Sequence, residues 1–227
     1  MTTFNIGILD DDAAKVTQIM TKLSEGVQDA DTGKTAKYHE YALIPVEITA
    51  GKSIEALIDE IINKEIDCMI IDYKLNSNKI INYNGIDVAN QLYDTLYDFP
   101  IFILTSYEDD LFSNETYDAY KIFNFGRYLS EKMERIELNF KIIEQVRKYK
   151  KQLSLWEQEL LKLLPHKGES VEIDSQIMEL DTKIEKSING KSTLSIKEKI
   201  DFSNDLDKLI IRLDNLIKEG NYEQDKK

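Results

Sequence analysis

Aspartates stand directly after two apolar segments, and they are the residues whose types and spacing are best suited to chemistry. One segment, FNIGIL, runs into Asp10, Asp11 and Asp12, and another, CMII, ends at Asp72. Several carboxylates held close together would repel one another, and at least one would tend to keep a proton. A hard divalent cation removes that conflict, and Mg²⁺ prefers a few carboxylates together with water. The pattern therefore predicts a magnesium site, provided that the two segments lie side by side.

Two later residues could add a hydroxyl and a positive charge to the same place. The apolar segment IFIL ends at Thr105, and Lys132 follows a weaker apolar segment. Carboxylates, a metal, a hydroxyl and a lysine together suit a phosphoryl group, because the cations neutralise its charge and the hydroxyl donates a hydrogen bond. The alternatives are a solvated acidic loop edge for the aspartates, a plain strand-end hydroxyl for Thr105 and a solvated surface lysine. Asp12 is better explained as an acid favoured by a helix dipole than as a ligand.

The elements that must position these residues alternate short apolar segments with segments of helical spacing. Strands that are almost continuously apolar, separated by helices, predict a parallel sheet covered on both faces. Ser53 is a plausible N-cap, Gly85 opens a helix, and Pro45 places its strand at an edge of the sheet. The predicted strands are Phe4–Leu9, Tyr41–Ile48, Cys68–Ile71, Ile101–Leu104 and, more weakly, Tyr128–Ser130. The fold class is therefore α/β, a doubly wound five-stranded parallel sheet, in which ligands bind outside the carboxyl ends of the strands.

The order of these parts resembles the receiver domain of two-component response regulators, which has a flavodoxin-like fold. The resemblance covers residues 1–145 and rests on a paired acid, an acceptor aspartate, a hydroxyl, a lysine and a helix-opening glycine in the family's order. In this sequence these parts are Asp10-Asp11, Asp72, Thr105, Lys132 and Gly85. The family's aromatic switch residue lies three positions before its lysine, where this sequence has Leu129, with Tyr128 one position further back.

The resemblance implies that Asp72 accepts a phosphoryl group from a sensor histidine kinase or a phosphotransfer protein. It also implies that Asp11 and Asp72 ligate Mg²⁺ together with the backbone carbonyl of Lys74, and that Asp10 acts through a metal-bound water. Thr105 and Lys132 would contact the phosphoryl oxygens. Such a chain is no enzyme beyond its own phosphorylation and dephosphorylation. The alternatives are an adaptor that keeps the fold without phosphorylation and a Mg²⁺-dependent phosphatase.

The C-terminal part has a different pattern, which predicts a helical extension over residues 146–227. Apolar residues at alternating steps of four and three indicate one long helix with a heptad pattern, and two further helical patterns follow it. The residues of the first pattern are Ile142, Val146, Tyr149, Leu153, Trp156, Leu160 and Leu163. The extension lacks a compact helix-turn-helix with a basic recognition helix. We therefore expect it to contact an effector protein or a second copy of the chain, as a coiled coil or a bundle.

The overall charge limits the classes of partner. The 227 residues carry a formal net charge of -13, which disfavours nucleic acid and anionic membranes. A single cysteine excludes a disulfide framework, and no apolar segment approaches the length of a membrane span. These features, together with an acidic rather than a basic N-terminus, predict a cytoplasmic protein.

Overall fold

The computed structural model describes residues 1–27, 33, 37–51, 53–76, 81–107, 118 and 121–189. Within this part of the chain, five parallel strands form one sheet in the order β2-β1-β3-β4-β5. The strands are β1 Thr2–Leu9, β2 Tyr41–Glu47, β3 Cys68–Ile71, β4 Ile101–Thr105 and β5 Ile122–Asn124. The chain therefore has the predicted flavodoxin-like α/β fold, followed by a helical C-terminal part. The edge position predicted for the strand with Pro45 is confirmed.

The strand order brings the two acidic segments together. β1 and β3 are neighbours, and Leu9 at the end of β1 pairs with Ile71 at the end of β3. Asp10 and Asp72 come directly after this last pair, so both leave the sheet at the same edge. The two acidic segments therefore lie side by side, as the predicted magnesium site required.

The fifth strand lies earlier in the chain than the sequence predicted. The residues Tyr128–Ser130 belong to a helix, and the strand is Ile122–Asn124. The helix begins after Asn124 because the Asn124 side chain accepts a hydrogen bond of 2.9 Å from the backbone N–H of Arg127. The prediction was wrong because a strand of three residues is too short to show a periodic pattern, whereas the helix places the buried Tyr128 within an apolar segment.

Side-chain caps fix the starts of the helices that carry the site. The side chains of Asp12, Ser53 and Asn84 each accept a backbone hydrogen bond at a helix N-terminus, and Asn84 forms a capping box with Asp87. The cap predicted at Ser53 and the helix start predicted at Gly85 are confirmed, and Asp12 stands at a helix N-terminus as expected, where it is the N-cap. The helices are α1 Ala13–Ser24, α2 Ile54–Asn63, α3 Gly85–Thr95, α4 Phe125–Ser130, α5 Lys132–Leu163 and α6 Val171–Asn189.

The core lies in two layers, one on each face of the sheet. On one face, Ile6 and Ile8 of β1 pack with apolar residues of α1 and with the first half of α5. On the other face, Leu9 and Ile71 pack with apolar residues of α2 and α3. Because side chains alternate along a strand, the buried residues of β1 and β3 contribute to both layers. Because both faces are covered, a ligand can approach the sheet at the carboxyl ends of its strands.

The chain divides into two compact units. The first is Met1–Leu155 with Ser187–Gly190, and the described part of the second is Trp156–Lys186. The second unit contains a 3₁₀ turn at Leu164–His166 between two helical segments. The third helical pattern, from Leu206 to Ile217, falls outside the described residues. No described helix is both long enough and apolar enough to span a bilayer.

Candidate functional site

Three aspartates meet at the carboxyl edge of the sheet. One carboxylate oxygen from each of Asp10, Asp11 and Asp72 lies within 4.8 Å of the other two. All three residues are buried, and the side chains of Asp10 and Asp72 are only 1% and 2% exposed. The structure thus brings together the three carboxylates that the sequence predicted as metal ligands, although their metal binding stays a prediction.

Backbone contacts hold these aspartates in place. The backbone N–H of Asp72 donates to the carbonyl of Leu9 at 2.9 Å, which continues the pairing of β1 with β3. The backbone N–H of Asp12 donates to Oδ1 of Asp10 at 2.8 Å, and the side chain of Asp12 caps α1. The acid cluster is therefore built into the end of the sheet and the start of α1.

Gly85 leaves room for the segment that carries Asp72. Its backbone N–H donates to the carbonyl of Tyr73 at 2.8 Å. A Cβ atom at position 85 would overlap the carbonyl oxygen of Asp72, which is backbone and cannot move aside without moving the site. The glycine predicted to open this helix is thus required by its close contact with the backbone of Asp72.

The buried position of Asp10 changes its ionisation. The pKa of Asp10 is raised from 3.8 to about 7, chiefly by burial and also by the charges of Asp72 and Asp11. The hydrogen bond from Asp12 and the charge of Lys15 act in the opposite direction. Near neutral pH, Asp10 therefore exchanges a proton that a bound cation would displace.

The donor atoms of this cluster fit a divalent cation. Oδ2 of Asp10 and Oδ1 of Asp72 are buried and accept no hydrogen bond from any residue that the structure describes. Buried carboxylate oxygens normally have such partners, and hard cations such as Mg²⁺ take carboxylate oxygens as ligands. The predicted role of the Lys74 carbonyl stays a prediction. The Lys74 side chain places Nζ 3.5 Å from the centre of the Tyr107 ring, over the same edge of the sheet.

Lys15, which the sequence analysis missed, contacts two of these acids. Its Nζ lies 3.1 Å from Oδ2 of Asp72 and 3.8 Å from Oδ2 of Asp10. Burial lowers the pKa of Lys15, but the charges of Asp72 and Asp10 outweigh it, so the net shift is upward. The sequence did hold a signal. A lysine in the first turn of a helix points back towards the helix N-terminus, where the acids stand.

Thr105 and Lys132 occupy different settings. Thr105 ends β4 at the same edge, is fully buried, and its Oγ1 accepts a hydrogen bond of 3.2 Å from the backbone N–H of Tyr107. Lys132 is exposed and begins α5, so the whole of α4 separates it from the end of β5. Lys132 does not closely follow the fifth strand as predicted, because that strand ends at Asn124, and its contact with a phosphoryl group stays a prediction.

Tyr128 is held in a buried polar network. Its ring is fully buried, which raises the pKa of its hydroxyl, and the hydroxyl donates to Oδ1 of Asn139 at 3.2 Å. Nδ2 of Asn139 donates to the carbonyls of Lys22 and Gly26 at 3.3 and 2.8 Å. This network ties α4 and α5 to the end of α1. Turning the ring outwards would therefore break a hydrogen bond and expose a large buried side chain.

Comparison with known proteins gives only distant similarities. No protein-family model matches the chain, and no curated protein is similar to it in sequence. The chain is similar to a crystal structure of the anti-anti-sigma factor PhyR from Bartonella quintana, with 14% identity and a TM-score of 0.42 over 68% of this chain and 51% of that one. The match thus spans about half of the PhyR chain.

A second similarity is to a fusion chain that contains amino acids 181–211 of the yeast Spc42 trimeric coiled coil. Here the identity is 15% and the TM-score 0.40, over 73% of this chain and 97% of that one. At these identities and scores, neither similarity assigns a family to the chain.

Proposed function

We propose that this chain is a receiver-type response regulator of a two-component phosphorelay, which accepts a phosphoryl group on Asp72. The observation that carries the proposal is the setting of Asp72 at the end of a central strand. Its side chain is almost fully buried, two further carboxylates lie within 4.8 Å, and its Oδ1 accepts no hydrogen bond from the described residues. A structural aspartate in such a setting would be expected to have both oxygens satisfied.

The chemistry follows from the atoms at the site. Oδ1 of Asp72 attacks the phosphorus of a phosphohistidine on a sensor histidine kinase or a phosphotransfer protein. A P–O bond forms and the P–N bond breaks, and the imidazole leaves with the electron pair and takes up a proton. The product is an acyl phosphate on Asp72. The hydroxyl of Thr105, at the end of the neighbouring strand, donates to a phosphoryl oxygen.

Asp10, Asp11 and Asp72 would hold Mg²⁺, together with the backbone carbonyl of Lys74. The ion would offset the negative charge of the phosphoryl oxygens as they approach three carboxylates. Burial of the acids strengthens this attraction, because the local dielectric is low and water is largely excluded. The protein itself orients Asp72 through the hydrogen bond from its backbone N–H to Leu9 of β1. It also keeps the pKa of Asp10 at about 7, so that the proton can leave when the ion binds.

The helical C-terminal part supplies the output, through contact with an effector protein or a second copy of the chain. Leu161, Leu164 and Val171 of the second unit are exposed, and Val171 is 77% exposed. Exposed apolar side chains on helices suit protein contacts, whereas the net charge of -13 disfavours nucleic acid and membranes. The proposed setting is the cytoplasm, where kinases of this class deliver their phosphoryl groups.

Beryllofluoride mimics an acyl phosphate, so its binding in the presence of Mg²⁺ tests the proposal. We expect saturable binding by isothermal titration calorimetry that requires Mg²⁺ and is lost in Asp72→Asn. The matched control is Asp94→Asn, which removes an exposed carboxylate from α3 and should bind as the wild type does.

Other results would point elsewhere. No binding by the folded wild type would contradict phosphorylation and favour an adaptor that keeps the fold. Steady turnover of small phosphate esters, lost in Asp72→Asn, would instead favour a Mg²⁺-dependent phosphatase.

A further inference from the structure

Lys15 is in direct contact with the proposed phosphoacceptor. Its Nζ makes a hydrogen bond of 3.1 Å to Oδ2 of Asp72 and lies 3.8 Å from Oδ2 of Asp10. The Lys15 side chain is 25% exposed, whereas the two carboxylates that it contacts are almost fully buried. Its ammonium group therefore stands at the mouth of the acid cluster, between the carboxylates and solvent.

The residue that ends the fifth strand and the residue directly after it are both uncharged. β5 ends at Asn124, whose side chain caps α4, and Phe125 follows it. The Phe125 ring packs against the first core cluster, and its centre lies 5.5 Å from Nζ of Lys15. An aromatic ring thus directly follows β5, and the ammonium of Lys15 lies over it.

The position of Lys15 is fixed by the elements on both sides of it. The Asp12 cap starts α1 directly after the acids, and Lys15 falls in the first turn of that helix. Helical side chains lean towards the N-terminus, so the Lys15 stem extends back over the carboxyl edge of the sheet. Its reach is set by the cap and by the packing of Val16 and Ile19 into the core.

We propose that Lys15, rather than Lys132, is the lysine that pairs with the phosphoryl group on Asp72, a role that rests on the proposed function. Before phosphorylation the same ammonium pairs with Oδ2 of Asp72 and competes with Mg²⁺ for the acid cluster. After transfer it pairs with a phosphoryl oxygen, which carries more negative charge than the carboxylate alone. Lys15 therefore opposes the metal in the free protein and supports the phosphorylated one.

These two roles predict opposite effects of a single substitution. In Lys15→Met, which keeps an unbranched apolar stem near Phe125, Mg²⁺ alone should bind about 3- to 30-fold more tightly, because a competing positive charge is gone. Beryllofluoride with Mg²⁺ should bind at least about tenfold more weakly, because a charge-assisted hydrogen bond is lost. A loss of folding would weaken both, so only the pair of opposite shifts fits the proposal.

Both titrations are done by isothermal calorimetry on the full chain, with thermal unfolding by circular dichroism as the check on folding. The matched control is Lys22→Met, on the same helix, which removes a lysine paired with Glu25 at 2.7 Å. This variant should change both affinities by less than about twofold, because Lys22 is at the far end of α1.

Beryllofluoride binding by Lys132→Met shows whether Lys132 or Lys15 pairs with the phosphoryl group. The proposal is overturned if Lys15→Met leaves beryllofluoride affinity unchanged, and more plainly if Lys132→Met is the variant that loses it. Either result would leave phosphorylation of Asp72 intact. If the wild type itself fails to bind beryllofluoride, the proposed function falls, and the assignment of Lys15 falls with it.

Discussion

The two aspartates that flank β3 differ in their partners, although they stand at the two ends of one strand. At the amino end, Oδ2 of Asp67 accepts a hydrogen bond of 2.8 Å from the backbone N–H of Asn5, and Oδ1 pairs with Nζ of Lys150 at 2.7 Å. At the carboxyl end, Oδ2 of Asp72 contacts Lys15, and Oδ1 accepts no hydrogen bond from the described residues.

The difference shows how one residue type serves two purposes in one strand. Each oxygen of Asp67 has a partner that stabilises the fold, so this carboxylate is structural. Asp72 is more deeply buried and is placed beside Asp10 and Asp11, an arrangement that costs stability unless a cation or a proton intervenes. The unfavourable setting of Asp72 is therefore typical of a functional residue, whereas the satisfied hydrogen bonds of Asp67 are typical of a structural one.

The largest expected effect comes from Asp10, whose raised pKa makes the metal-free fold sensitive to pH. The pKa of Asp10 is about 7 in the folded chain against 3.8 as its ordinary value, so the folded state binds the extra proton between these values. The free energy of unfolding should therefore fall as pH rises from 4 to 7, by at most about 4 kcal/mol from this group. Urea unfolding of wild type and Asp10→Asn at a series of pH values measures it, and equal slopes would contradict the raised pKa.

The next effect separates the two aspartates of β3 by stability. Asp67→Ala should lower the free energy of unfolding by about 1–3 kcal/mol, because the N–H of Asn5 loses its acceptor. Asp72→Ala should stay within about 1 kcal/mol of wild type in metal-free buffer at pH 8, because relief of repulsion offsets the loss of Lys15. Chemical denaturation of both variants tests this. An equal loss at both positions would show that Asp72 is structural as well.

A smaller effect should appear in metal binding at the carboxyl edge. Mg²⁺ binding requires the ionised form of Asp10, so affinity should be about tenfold lower at pH 6 than at pH 8. Calorimetric titration at the two values measures the change, together with the protons released on binding. The change should disappear in Asp10→Asn and persist in Asp67→Asn, whose carboxylate lies at the other end of the strand.

The smallest effect tests the amino end alone. Lys150→Met removes the ion pair with Asp67, but the Lys150 side chain is half exposed, so solvent already screens much of its charge. The loss of stability should be about 0.5 kcal/mol and should decrease with added salt. Thermal unfolding at low and high salt is the measurement. Mg²⁺ affinity should not change, and a change would mean that the two ends of the strand are coupled.

The end of the sheet at which the acids stand could be predicted from parallel strands, whereas the pairing of β1 with β3 was a condition that only the structure met. Acids that follow Leu9 and Ile71 must leave a parallel sheet at one edge, whatever the details of packing. The helix caps and the edge strand with Pro45 follow equally local rules. These features need only the identity of a residue and its place along the chain.

Two features could not be predicted from the order of parts. The fifth strand has three residues, only one of which is buried, so the longer apolar pattern around Tyr128 was more prominent although it belongs to a helix. The cation at the site depends on how far a side chain reaches from a different element. The sequence cannot show which of Lys15 and Lys132 lies nearer to the acids, because this depends on where α1 starts and β5 ends in three dimensions.

The most direct test of the central claim is to locate the phosphoryl group. The chain is treated with a small phosphoryl donor such as phosphoramidate in Mg²⁺, reduced with borohydride, which converts an acyl phosphate to homoserine, and mapped by peptide mass spectrometry. We predict homoserine at position 72, dependent on both donor and Mg²⁺, with position 67 unmodified. Modification at position 67, or none at position 72 in the folded protein, would contradict the assignment of Asp72 as the phosphoacceptor.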